Sequence, residues 1–170
     1  MTDSPLKYIA AYSLDIKNKV QQMIEQQTLS NYLLTKYPTC HDVINEKALR
    51  VYVNNLKNQY LKKSSPLSKI KYDDKIHVVN NALGLHTFVS RVQGNKLRSK
   101  NELRIASVFK YAPKEFLEMI VVHELAHLKE KDHNKGFYQL CLHMQPSYHQ
   151  IELDVRIYLI QLEVFGKIYS

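Results

Sequence analysis

Two imidazoles four residues apart, with a carboxylate between them, could hold a metal ion and use it for hydrolysis. The stretch His123-Glu124-Leu125-Ala126-His127 offers that set. On a helix, residues i and i+4 project from one face, so His123 and His127 could grip one zinc ion. Glu124 falls on the neighbouring flank, within reach of a water beside the ion rather than of the ion itself. Zinc lowers the pKa of such a water, and the carboxylate can take its proton as it attacks a polarised carbonyl. Shuffled versions of a chain with 8 His in 170 residues would hold roughly 0.02 such matches, so chance explains the motif poorly. Its setting adds weight. From Met119 to Leu128 the residues read MIVVHELAHL, and His123, Glu124 and His127 are the only polar members. A helix apolar nearly all round is predicted to be buried. Burying a carboxylate and two imidazoles without partners costs several kcal/mol, and a metal supplies a partner.

Catalytic zinc usually keeps three protein ligands and one open position. His133, six residues beyond His127, is the first candidate for the third ligand. A continuous helix would carry it about 240° around the axis from His127, so the helix must end near residues 129–132. The polar run from Lys129 to Lys135 permits that. Metzincins share this His spacing but place a Gly three residues after the second His, where this chain has Glu130. In a gluzincin arrangement the third ligand is a downstream Glu, for which Glu152 is the candidate.

The run HELAHLKEKDHNKGFYQLCLHMQPSYHQIELDVRIYL resembles the YgjP-like metal-dependent hydrolases, a group placed with the zincin metallopeptidases. The matching features are His123 to Leu128, His133, the pair Phe137-Tyr138 and the segment Pro146-Ser147-Tyr148. The upstream run RIASVFKYAPKEFLEMIVV extends the similarity, to about Ile76–Leu162 in all. The resemblance implies His133 as third ligand and Glu124 as base, with both peptide and nucleotide hydrolysis proposed for the family. Two features depart from it. Val92-Gln93-Gly94-Asn95 stands where the family commonly shows a Trp-Gly-Ser-Cys-like segment, and the chain has no Trp. The first third reads as helical rather than as a strand-rich, arginine-rich start.

The elements that must position this set can be outlined. Ser13 could cap a helix to about Gln27, with Leu14, Ile16, Val20, Met23 and Ile24 on one stripe. A short helix over Leu29–Lys36 is stopped by Pro38. A longer one covers about Val43–Lys62 and dissolves into the linker-like KKSSPLSK. Short strands are predicted around Ile76 and Val78, Thr87 and Val89, and Leu103 to Val108, with Gly94-Asn95 joining the last two. Pro113 sits at the first turn of the HExxH helix, with Glu115 and Glu118 near its positive end. Ile151–Phe165 alternates like a strand, but its length and its i, i+3, i+4 spacings favour a helix ended by Gly166. Phe137, Tyr138 and Leu140 read as core residues.

Composition bounds the rest. The length fits one domain, residues 1–170, with a helical part over 1–63 and a zincin-like part over 70–165. Two cysteines in no paired pattern suit a reducing compartment, and no basic n-region precedes an apolar core, so a cytoplasmic location is expected. No stretch reaches membrane-spanning length. The net charge of +8 could draw in phosphate-bearing partners, though a solvated basic surface explains it as well. The expected architecture is an α+β zincin-like domain: a small sheet on the HExxH helix, a rim strand near Leu103–Phe109 open to an extended substrate, and a C-terminal helix. The expected activity is zinc-dependent hydrolysis, first of a peptide or protein substrate. One rival is a nucleotide phosphohydrolase. The other is a metal-stabilised module for nucleic acid or a partner, against which Glu124 argues because a purely structural metal would not need it. Tyr148 could stabilise an oxyanion, and His143 and His149 could border the cleft.

Overall fold

The computed structural model describes the backbone of residues 4–76, 89–93 and 99–170, and the side chains of residues 4–76 and 102–170. A 3-10 turn over Pro5–Ile9 opens it, followed by helix α1 (Leu14–Glu25), whose first turn the Ser13 hydroxyl caps by accepting the Ile16 N–H at 3.3 Å. Leu14 stands at the first helical position and is 71% exposed, so it leaves the predicted stripe, while Val20 is buried. Helix α2 (Leu29–Lys36) ends before Pro38 as expected. Helix α3 (Glu46–Tyr60) starts three residues later than predicted because Asn45 caps it, its side chain accepting the Ala48 N–H at 2.8 Å.

The linker-like stretch is shorter than expected. Strand β1 (Leu67–Asp73) begins inside it, and Ile76 falls beyond the strand's end. Strands β2 (Val89–Gln93) and β3 (Ser99–Ala106) follow, while Val108 belongs to a 3-10 turn over Ser107–Phe109. The predictions at Val78, Thr87 and Gly94-Asn95 lie outside the described residues. The sheet has the order β1-β3-β2, parallel between β1 and β3 and antiparallel between β2 and β3. Leu103 faces Ile70 on one side and Val89 on the other. β3 is therefore the middle strand, not a rim strand, which corrects the expected docking edge for an extended substrate. Leu103 and Ile105 are fully buried and alternate with half-buried Glu102 and Arg104.

Helix α4 (Lys114–Ala126) starts after Pro113 and packs beside β3. From Phe116 to Ala126 every residue but Glu118 is buried, as its apolar sequence demands. Helix α5 (Lys135–Met144) was not evident in the sequence; Asn134 caps it by accepting the Phe137 N–H at 2.9 Å. Helix α6 (Tyr148–Val164) resolves the ambiguous last segment as helical, and Gly166 follows it at φ 95°. α6 packs against α4, α5 and α2, so it ties the first third to the rest.

Polar bonds reinforce that tie. Tyr32 and Lys36 of α2, at 2.6 and 2.8 Å, and Tyr37 just after it all donate to the fully buried Asp154 carboxylate. His41 fastens the chain before α3 to the entry of α4. Its Nε2 meets the Phe109 carbonyl at 2.7 Å and its Nδ1 accepts the Val43 N–H at 3.0 Å. These elements make a helix-rich α+β arrangement in which one buried cluster runs from Tyr8 to Tyr169. Among the described residues no helix is long and apolar enough to cross a membrane.

Candidate metal centre

The last turn of α4 carries His123 and His127 on one face, and the loop leaving it returns His133 to the same place. His127 is the helix C-cap and keeps a right-handed helical backbone. Beyond it, the N–H groups of Leu128, Lys129 and Glu130 bond back to the carbonyls of Leu125 and Ala126, which winds the chain once before Asn134 starts α5. The helix thus ends earlier than residues 129–132, and the chain beyond it brings His133 back to the two histidines.

The three rings form a nearly equilateral triangle, with centroids 5.0, 5.0 and 4.9 Å apart. One ligating atom from each lies within 4.8 Å of the others. The Nε2 atoms of His127 and His133 are 3.1 Å apart. Two nitrogens bound to one tetrahedral zinc would sit about 3.3 Å apart, so the spacing fits a shared ion. Phe137, fully buried, stands 4.7–5.0 Å from all three rings and closes one side of the triangle with an apolar wall. His127 and His133 remain half-exposed, which leaves the centre reachable from solvent.

The other nitrogens are held in turn. His127 Nδ1 lies 2.9 Å from the Glu130 carbonyl, which can only accept, so the ring carries its proton there and presents Nε2 as a lone pair. His123 Nδ1 lies 2.9 Å from the Tyr148 hydroxyl. Tyr148 donates its own proton to Glu152 Oε2 at 3.0 Å and so accepts from His123. Burial, and then the neighbouring Glu152 charge, push the Tyr148 phenol well above its ordinary pKa, so it stays a donor. With both capacities committed, Tyr148 does not fit an oxyanion role. Glu152 accepts from Tyr148 and is not among the three residues whose ligating atoms converge, so this geometry favours His133 over the gluzincin alternative. Glu124, on the same helical turn as the two histidines, is fully buried.

Other candidates fall elsewhere. His143 is exposed and packs edge-on against Tyr60, and exposed His149 packs beside Tyr138 and Tyr148. Cys141 is buried in α5, and burial pushes its thiol up to about 12, so it behaves as a small apolar side chain. Neither cysteine is paired. The sequence reading missed the place of Phe137 at the centre. The available signal was the aromatic residue three positions after a possible Asn134 cap and close behind His133.

A family model described as YgjP-like, metallopeptidase domain, matches residues 10–156. The chain belongs to the YgjP-like family. That match reaches far upstream of Ile76, so most of the first third lies inside the matched region and the similarity is longer than the expected Ile76–Leu162. A YgjP-like relative, the UTP pyrophosphatase of Escherichia coli (strain K12), is 55% identical over 161 residues, covering 95% of this chain and 96% of the relative. No solved structure matches. Family and relative together make the chain an enzyme, a hydrolase, carrying a histidine triad that could bind a metal.

Proposed function

We propose that this chain hydrolyses nucleoside triphosphates, UTP first among them, to the monophosphate and pyrophosphate. The observation that carries the reading is the 55% identity, over nearly the whole of both chains, to a protein named UTP pyrophosphatase. Nucleotide phosphohydrolysis is thereby preferred to peptide cleavage. The middle position of β3 also removes the strand edge on which peptide docking was argued.

His123, His127 and His133 would hold the metal. An all-imidazole donor set suits zinc, whereas magnesium prefers oxygen ligands and would arrive with the triphosphate. The ion would supply charge to a phosphoryl oxygen and acidify the attacking water. Glu124 would accept that water's proton, and its full burial keeps competing solvent from the carboxylate. Phe137 would hold the three rings in register from their apolar side. The helical part (1–63) and the zincin-like part (70–165) would act as one domain, a reading supported by the bonds from Tyr32, Lys36 and Tyr37 to Asp154.

Purified, zinc-loaded protein should be offered UTP, the other nucleoside triphosphates and an unbiased peptide library side by side. Release of pyrophosphate from UTP, lost in Glu124→Gln while zinc is retained, is expected. Peptide cleavage with UTP untouched would overturn the nucleotide reading and leave the metal centre standing.

A further inference from the structure

We propose that Tyr148 and Glu152 are positioning residues for His123, and that Tyr12 and Arg156 extend this relay to the start of the chain. The inference rests on the reading of the histidine triad as a metal centre. A tyrosine hydroxyl has one proton, and its direction decides what His123 can do. If Tyr148 donated to His123 Nδ1, the ring proton would move to Nε2 and that atom could not ligate. Glu152 prevents this by accepting the Tyr148 proton at 3.0 Å, which turns the phenol oxygen into an acceptor for His123 Nδ1–H.

Glu152 is itself clamped. Its Oε1 accepts the Tyr12 hydroxyl at 3.3 Å and lies 3.9 Å from Arg156 Nη2. Arg156 is buried, donates from Nη1 to the Tyr8 carbonyl at 2.8 Å and stands over the Tyr12 ring. The carboxylate therefore cannot swing away from Tyr148 without breaking contacts to residues 8–12. Groups beyond the metal ligands fix ring tautomer and orientation, and their loss typically weakens metal binding about 10–100-fold. The molecule contains an internal control. His127 receives the same service from a backbone carbonyl, that of Glu130, which no side-chain substitution in the relay touches.

The test uses the full chain and zinc alone, by competition against a chelating dye, with proton–nitrogen correlation spectra of the histidine rings in metal-free protein. Tyr148→Phe and Glu152→Leu, which cannot accept the Tyr148 proton, are each expected to weaken zinc binding about 10–100-fold, with Tyr12→Phe giving a smaller loss in the same direction. In the spectra the His123 proton, fixed on Nδ1 in the wild type, should distribute over both nitrogens in Tyr148→Phe, while His127 stays unchanged. A merely structural role for Tyr148 would not single out one ring. Glu152→Leu keeps about the side-chain size and serves if Tyr148→Phe fails to fold. Wild-type zinc affinity in folded Tyr148→Phe or folded Glu152→Leu, with His123→Ala losing zinc, would overturn the relay alone. Wild-type affinity in His123→Ala as well would overturn the metal reading on which it rests.

Discussion

Glu130 stands three residues after His127, where the metzincin pattern has a glycine to turn the chain. No left-handed residue is needed here, since Gln27 is the sole non-glycine with positive φ among the described residues. Glu130 instead takes an active part. Its carbonyl accepts from His127, and its carboxylate accepts from Asn134 Nδ2 at 3.2 Å, beside His133. Gly136 makes room for it: a Cβ there would meet Glu130 Oε1 at 2.8 Å. Gly136→Ala should therefore push the carboxylate off Asn134. Unfolding stability should change by about 1 kcal/mol or less, because alanine favours the helix, while zinc affinity falls several-fold. Paired denaturation and chelator-competition curves check both halves. His133→Ala should remove most zinc binding, and Glu152→Ala should weaken it less, because one removes a ligand and the other a support. His123, Glu124, His127 and His133 were legible in the sequence because their spacing is local. Glu152 was legible as a residue but not as a layer, since only the fold shows Tyr148 standing between it and His123.

Among the elements, α1 to α4 and α6 could be read from caps, Pro38, Pro113 and apolar spacing. α5 was missed although α2 is shorter, because its Asn134 cap lies in the polar run from Lys129 to Lys135 that reads as loop, and Phe137, Tyr138 and Leu140 registered only as core residues. β1 was hidden because Lys69 and Lys71 flank its one fully buried side chain, Ile70, and its partner β3 lies some thirty residues on. The seam between α2 and α6 hangs on Asp154, and Asp154→Ala would leave two tyrosines and Lys36 without their acceptor. We expect a loss of about 2–4 kcal/mol in urea unfolding, less than for a fully buried pair because Lys36 reaches solvent. The His41 fastening is sensitive to pH. Burial lowers its pKa from the ordinary 6.5, so the folded state favours the neutral ring. That contribution is complete above pH 6.5 and is lost as pH falls from there through the lower folded value. His41→Gln should thus show a flatter decline in Tm between pH 7.5 and 5.5 than the wild type.

For the molecule as a whole, the charge of +8 suits an anionic substrate. If capture of UTP is partly electrostatic, raising salt from 50 to 200 mM should raise KM on the order of a few-fold and leave kcat nearly unchanged. Steady-state kinetics at the two concentrations decide it. A rise confined to kcat would mean that charge acts elsewhere than on encounter. Nothing in the local pattern of residues points to the contact between the first third and Glu152. That information lies in pairs such as Tyr12 with Glu152, 140 positions apart, for which no local pattern exists.

That pairing also sets an order of events during synthesis. A ribosome has delivered all three histidines once residue 133 is made, yet Tyr148 and Glu152 are still to come. At typical synthesis speeds the 19 residues from 134 to Glu152 take roughly 1–4 s. Throughout that interval residues 8–12, made earlier, wait for the acceptor they will hold, and His123 lacks its bond to Tyr148. On the proposed relay, full-affinity metal loading waits until Glu152 has joined it, and stalled nascent chains ending before Tyr148 should bind zinc only weakly.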